Sequence, residues 1–400
     1  MARLGSLAAL ASAAVVSAAL LTGCSGSDSD APPNQTVTAT PHSSDSSGQS
    51  PATSGSPTDP ATTSSPSDDT AAGNRPAKVI GTIAKGLKTP WGIGFLPDGD
   101  AVVTERDTRR VLLLEAPSYD VRQVGVVSAA VPLGSEGGEA GLLGVAVSPD
   151  FDSDHLLYFY LSTAADNRIV KATLEKGRLG TPKVILDGIP NGFIHDGGRL
   201  AFGPDGYLYA STGETGDSEL AQDKSTTAGK ILRITTDGDP APGNPFQGSP
   251  IWTYGHRNVQ GLAFDDRDRL WASEFGNHTF DELNLIEKGH NYGWPIVEGQ
   301  GGGDGLTDPQ VVWSTDEASP SGLAYLDGHL WLAALRGSRL WRIDVKGDRA
   351  SNPVDFFVGE YGRMRTVVAA PDGNLWVTTS NQDGRGFPKP GDDRILLVRP

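Results

Sequence analysis

The 400-residue chain carries 49 acidic against 33 basic side chains, a formal net charge of −16, together with 51 glycines, 28 prolines and one cysteine. The acidic balance argues against a nucleic-acid partner and against a polybasic membrane footprint. A lone cysteine excludes an internal disulfide.

In chain order, Met1-Ala2-Arg3 leads into a small, apolar run from Leu4 to Leu21. The run is too short and Ala-rich for a permanent span, so residues 1–23 read as a signal peptide. It ends in Leu21-Thr22-Gly23-Cys24, which is similar to the bacterial lipobox, where a small residue before the cysteine admits a peptidase and the thiol is acylated. Cys24 is therefore the expected lipidation site, and the expected location is outside the cytoplasm, held to the cell membrane by that anchor only. An ordinary cleaved signal with a cysteine at its boundary is the alternative. Residues 24–75 are Ser, Thr, Pro, Asp, Gly and Ala with scarcely a large apolar side chain, and cannot bury enough surface to offset the entropy of ordering. They are expected to form a disordered tether.

Residues 76–400 hold no further linker of that composition and suit one large all-β domain. Within them one pattern recurs six times: an apolar strand, a Pro-Asp-Gly or Asp-rich turn, and a second apolar strand. The copies begin at Trp91, Leu143, Arg199, Gly261, Gly322 and Thr366. Most are followed by a third strand with a basic residue, as at Arg110–Leu114, Arg168–Ala172, Lys230–Ile234, Arg339–Ile343 and Arg394–Val398. Units of three or four short strands joined by hairpins predict a six-bladed β-propeller, with the segment near Lys78 to Ile83 closing the ring on the last blade. That architecture names no function by itself.

Four segments between the repeats are polar, charged and glycine-rich, as functional loops are. In Gly192-Phe-Ile-His195-Asp-Gly-Gly-Arg-Leu200 a histidine stands before two glycines; a general base and a surface capping residue both satisfy this spacing. In Tyr254-Gly-His-Arg257-Asn258 a guanidinium and an amide could clamp a carbonyl or quinone oxygen, or simply staple the loop to a carboxylate. The stretch from Ser273 through Gly276, Asn277 and Asp281 to Pro295 contains bends that could turn carbonyls toward a hard cation, without EF-hand spacing. Arg363 and Arg365, two apart on a strand, share a face, with Arg336 available from the preceding blade; a multiply charged anion and plain solvation are both open readings.

Taken together, the stretches Gly141–Phe151, His195–Gly206, Gly229–Ile234, Tyr254–Leu262 and Asp281–Pro295 resemble, in order, the motifs of the glucose/sorbosone dehydrogenase family. The likeness is to its soluble aldose sugar dehydrogenases, which depend on pyrroloquinoline quinone (PQQ) and calcium, and it runs from about Gly86 to the C-terminus. The resemblance implies oxidation of an aldose at its anomeric carbon to the lactone, with electrons passed to an acceptor that the sequence does not name. It makes His195 the general base, oriented by Glu214, and places Arg257 and Asn258 at the quinone oxygens. Arg336, Arg363 and Arg365 become anchors for the cofactor's carboxylates, and Gly276 and Asn277 offer carbonyls to calcium. Glu139 falls at a cofactor-side position where glutamine is usual, and its added charge should weaken binding of an anionic cofactor unless calcium or Arg257 compensates. Asn277 replaces a common proline, and Thr315 to Ser319 lacks the tryptophan of the glucose enzymes. These departures leave two rivals: a non-catalytic cell-surface propeller that binds a glycan, lipid or protein, and a calcium-dependent lactone hydrolase, against which the three arginines count.

Overall fold

The computed structural model describes residues 76–400; the expected signal peptide, Cys24 and the tether lie outside the described residues. The described chain is a six-bladed β-propeller, each blade an antiparallel sheet of four main strands. The first blade is Pro90–Phe95, Ala101–Glu105, Arg110–Glu115 and Asp120–Val126. The second is Leu142–Val147, Leu156–Ser162, Asn167–Glu175 and Lys183–Ile189, with the short Arg178–Leu179 paired to its third strand. The third, fourth and fifth blades start at Leu200–Phe202, Val259–Phe264 and Pro320–Leu326. The sixth combines Met364–Ala369, Leu375–Thr379 and Arg394–Arg399 with the most N-terminal strand, Lys78–Lys85, which pairs antiparallel with Arg394–Arg399. The ring thus closes where the sequence predicts, with the N-terminal strand supplying the outermost strand of the last blade. Among the described residues no helix is long and apolar enough to cross a membrane.

Apolar side chains alternate along the strands and meet between blades, so that each of the six blade interfaces has its own buried cluster. Trp376 of the sixth blade, for example, packs edge-on against Phe95 and Tyr119 of the first at 4.8 and 4.7 Å between centroids. The first strands crowd the axis, and there the repeat needs glycine. A Cβ on Gly261 would lie 2.3 Å from the Ser321 carbonyl oxygen, and one on Gly322 would lie 2.7 Å from Thr366 Cα.

The antiparallel order has a consequence for function. In every blade the hairpins between strands one and two open on one face of the ring, whereas the connections between strands two and three, and from one blade to the next, open on the other. Glu139, His195, Arg257, Asn258 and Arg363 lie in blade-to-blade connections; Glu214, Gly276, Asn277 and Arg336 lie between second and third strands. Residues spread over more than half of the chain therefore gather on one face, opposite the Pro-Asp-Gly turns.

Candidate active site

A cleft of about 420 Å³ opens at that face, lined by Glu139, His195, Asn258 and Gln260 and by Arg257, Arg336, Arg363, Arg365 and Arg385. Behind its lining residue Gln260 lies a buried arginine outside the expected site residues. Arg199 donates from Nε to the Gln260 carbonyl (2.8 Å) and from Nη2 to Thr366 Oγ1 (3.2 Å), and lies 4.2 Å above the Trp91 ring. None of these partners is a carboxylate, and burial pushes its guanidinium down to about 9.

His195 sits at the cleft wall with φ +60°, a left-handed conformation rarely adopted by a side-chain-bearing residue. The loop is held by close backbone nesting. A Cβ on Gly197 would lie 2.5 Å from Thr212 Cα, and one on Gly213 would clash with the His195 carbonyl. This nesting brings Glu214 Oε1 to 2.6 Å from His195 Nδ1, with both side chains nearly buried. A carboxylate at Nδ1 fixes the tautomer with the proton on Nδ1, which leaves Nε2 as the lone-pair nitrogen. The following residue, Asp196, is buried behind the loop. Its Oδ1 accepts from Asn167 Nδ2 (3.0 Å) and from the Gly192 N–H (3.1 Å), while Oδ2 has no partner, and burial raises the carboxyl to about 7.

Glu139 is a junction. Its Oε2 accepts the His195 N–H (3.0 Å) and Asn258 Nδ2 (3.1 Å), and its Oε1 accepts Arg385 Nη1 (3.1 Å). Burial would raise the carboxyl, but His195, Arg385 and the His195 N–H outweigh it and hold it below the ordinary range. Arg385 is thus a partner of the Glu139 charge besides the calcium or Arg257 expected from the sequence, and Glu139 in turn favours the charged form of Arg257. Asn258 completes the frame, with its Oδ1 accepting the Gly197 N–H at 3.1 Å.

Arg257 is carried by a braced loop. Fully buried His256 bridges Glu274 Oε2 and Thr253 Oγ1, both at 2.8 Å, and stacks on Tyr292; Glu274 Oε1 also accepts the Arg257 N–H. The Arg257 guanidinium donates to the Gly276 carbonyl (2.6 Å) and to Asn277 Oδ1 (3.3 Å), and its buried Nε has no partner. The Gly276 loop turns its amides the other way. Glu298 Oε1 accepts four successive N–H groups, from Asn277 (2.6 Å), His278 (3.0 Å), Thr279 (3.0 Å) and Phe280 (3.1 Å), and Asp281 Oδ1 accepts that of Gly276 (2.8 Å). The Gly276 and Asn277 oxygens that accept from Arg257 are neutral, hard donors of the kind calcium takes.

Only Arg365 lies on the strand, with Arg363 in the connection before it, yet the two converge: both meet Asp383 Oδ2, at 2.9 and 3.7 Å. Burial would raise the Asp383 carboxyl, but the two guanidinium groups hold it below its ordinary range. Arg365 also donates to Gln260 Oε1 (2.9 Å). Arg336 stands at the rim, 62 % exposed and paired with Asp316 at 2.5 Å. Asp383 and Arg385 carry no motif that marks them in the sequence. Both lie between the second and third strands of the sixth blade, the topological position that supplies Gly276 and Arg336 in the two preceding blades, and that equivalence could have found them. Five arginines over one carboxylate-poor cleft can hold a polyanion. A tricarboxylic quinone fits that charge.

Comparison with known proteins agrees with this geometry. The family model described as "Glucose / Sorbosone dehydrogenase" matches residues 87–396. The chain is 55 % identical to a solved structure of the PQQ-bound form of aldose sugar dehydrogenase from Streptomyces coelicolor, covering 81 % of this chain and 98 % of that one with a TM-score of 0.79. It is 28 % identical to the aldose sugar dehydrogenase YliI of Escherichia coli, over 74 % of this chain and 89 % of that protein. It is 35 % identical to quinoprotein glucose dehydrogenase B of Acinetobacter calcoaceticus, over 54 % of this chain and 52 % of that one.

Proposed function

The chain belongs to the glucose/sorbosone dehydrogenase family, and from that premise we propose that it is a PQQ- and calcium-dependent enzyme oxidising aldoses at the anomeric carbon to lactones. The observation that carries this reading is the His195–Glu214 pair, 2.6 Å apart, whose imidazole lines a cleft walled by five arginines. The relatives named for PQQ, aldose sugar or glucose dehydrogenase support the reaction class. The arginines favour it over a lactone hydrolase, which needs no polyanion site.

Arg363, Arg365 and Arg336 would hold the cofactor's carboxylates, Arg257 and Asn258 its quinone edge, and the Gly276 and Asn277 oxygens the calcium. The chemistry supplied by the bound quinone is acceptance of the anomeric hydride, with calcium as the Lewis acid that favours it. His195 Nε2 takes the proton of the anomeric hydroxyl as the C–H bond gives up its electron pair. Glu214 keeps the ring in the competent tautomer and stabilises the imidazolium that forms. Asn258 and Glu139 fix the base from behind through the Gly197 and His195 N–H groups. We also propose export and lipid anchoring at Cys24 as the setting for this reaction.

The test is titration of the protein with PQQ, with and without calcium, alongside His195→Ala. Calcium-dependent binding near one to one is expected in both proteins. The variant should lose on the order of 100-fold or more in aldose oxidation, the ordinary cost of removing a positioned base. Unimpaired oxidation by His195→Ala would refute the mechanism, and absence of PQQ binding would favour the non-catalytic propeller.

A further inference from the structure

Beside the cleft lies a second concavity of about 380 Å³ that shares Arg336, Arg363 and Arg385 with it and adds Tyr361, Phe387 and Lys389. None of the residues lining it is acidic, in a chain whose net charge is −16. Phe387 is 91 % exposed, far beyond what a core aromatic shows.

The loop that presents these groups, between Leu375–Thr379 and Arg394–Arg399, has its own acids turned inward. Asp383 Oδ1 accepts the Arg385 N–H (3.0 Å), and Asp392 Oδ2 accepts the Lys389 N–H (2.8 Å) and Asn381 Nδ2 (3.0 Å). Asp393 Oδ1 accepts Thr379 Oγ1 (3.1 Å) and the Asn381 N–H (2.6 Å). All three aspartates are buried. They brace the loop from within, while Arg385, Phe387 and Lys389 point out of it.

Arg385 also ties this surface to the reacting end of the cleft. It donates to one oxygen of Glu139 while the other oxygen holds the His195 N–H, so a single carboxylate separates it from the base's backbone. A ligand with its anomeric hydroxyl at His195 and its ring turned along this contact would reach Arg385 and the annex, which the cleft adjoins. An exposed aromatic face accepts the apolar face of a sugar ring, and guanidinium and ammonium groups pair with carboxylates.

We propose that this annex is a subsite for acidic saccharides: a uronic acid, or the reducing end of a short uronide, oxidised at His195 while its carboxylate sits at Arg385 and Lys389 against Phe387. The proposal rests on the aldose-oxidising reading above and narrows its substrate class. Neutral and acidic disaccharides of one stereochemistry, galactobiose and digalacturonate, separate recognition of charge from recognition of sugar shape.

The experiment compares kcat/KM for these two sugars in the chain loaded with PQQ and calcium, and calorimetric binding of digalacturonate to the chain without cofactor. The expected result is a preference of about tenfold for digalacturonate at low salt, shrinking as ionic strength rises. The variant Lys389→Glu should lose that tenfold preference, weaken digalacturonate binding and change galactobiose turnover less than about twofold, whereas Phe387→Ala should lower turnover of both sugars alike. Equal turnover of the two sugars, or a variant that affects neither readout, overturns the proposal. So does inorganic phosphate that competes as tightly as digalacturonate, since the annex would then recognise charge without sugar. If the chain binds no PQQ, the proposed activity falls, and the calorimetric arm still decides whether the annex binds acidic saccharide.

Discussion

Asp196→Asn isolates a buried charge immediately behind the base. Asp196 is 1 % exposed, and burial raises its carboxyl from 3.8 to about 7, with Glu139 adding to the rise against the Asn167 and Gly192 hydrogen bonds. A carboxyl raised on folding favours the native state fully below about pH 4; the unfolded chain then ionises first, and the advantage is gone above about pH 7. At about 1.36 kcal/mol per pH unit the whole interval is worth on the order of 4 kcal/mol, of which about 1.5 is already lost at pH 5. Between pH 5 and pH 8 the parent should lose roughly 2.5 kcal/mol that Asp196→Asn does not lose. Asparagine keeps the oxygen that accepts from Asn167 and Gly192, and turns an amide toward the region of Tyr160 and Asn167, whose side-chain oxygens have no partner. For a domain of about 325 residues, unfolding entropy converts that difference to about 4 °C in Tm. The assay is thermal unfolding of both proteins at pH 5 and pH 8. Asp281 and Glu282, which burial raises, and Lys230, which it lowers, are common to both proteins and cancel. A Tm gap that is the same at the two pH values would refute the reasoning, because Asp196 would then be ionised in the native state at pH 5.

Glu139→Gln removes a negative charge from the cleft and keeps an oxygen for the His195 N–H and Asn258. PQQ should bind about 3- to 10-fold more tightly by calorimetry; weaker binding would mean that the Glu139–Arg385 pair organises the site more than its charge disfavours the ligand. Cys24→Ser should move the protein from the membrane pellet to the soluble extracytoplasmic fraction of the producing cell and abolish labelling by a fatty-acid analogue. Persistent labelling would place the lipid elsewhere.

The fold was legible because a propeller repeats its local chemistry. Glycines such as Gly261 and Gly322 recur where the inner strands leave no room for a Cβ, and the Asp-Gly turns recur where the hairpins reverse. The strand Phe280–Ile286 was hidden because Asp281, Glu282 and Asn284 are polar and read as metal-binding bends. Their side chains are buried in hydrogen bonds instead, as when Asp281 joins the Gly276 N–H to that of Ser319, the latter at 2.5 Å.

The site was only half legible, and the missing half consists of partners rather than actors. His195, Arg257, Arg363 and Arg365 carry motif spacing, whereas the groups that set their charge and orientation come from the next strands of the same blade, as Asp383 and Glu274 do, or from another blade, as Gln260 does for Arg365 and Arg385 for Glu139. No local pattern links Glu139 to Arg385, 246 positions apart. The link becomes deducible once the blade topology is known, because both residues lie in connections that open on the same face. In this fold the ring brings the residues together, and the sequence position within each blade, more than residue type, tells which side chains can meet.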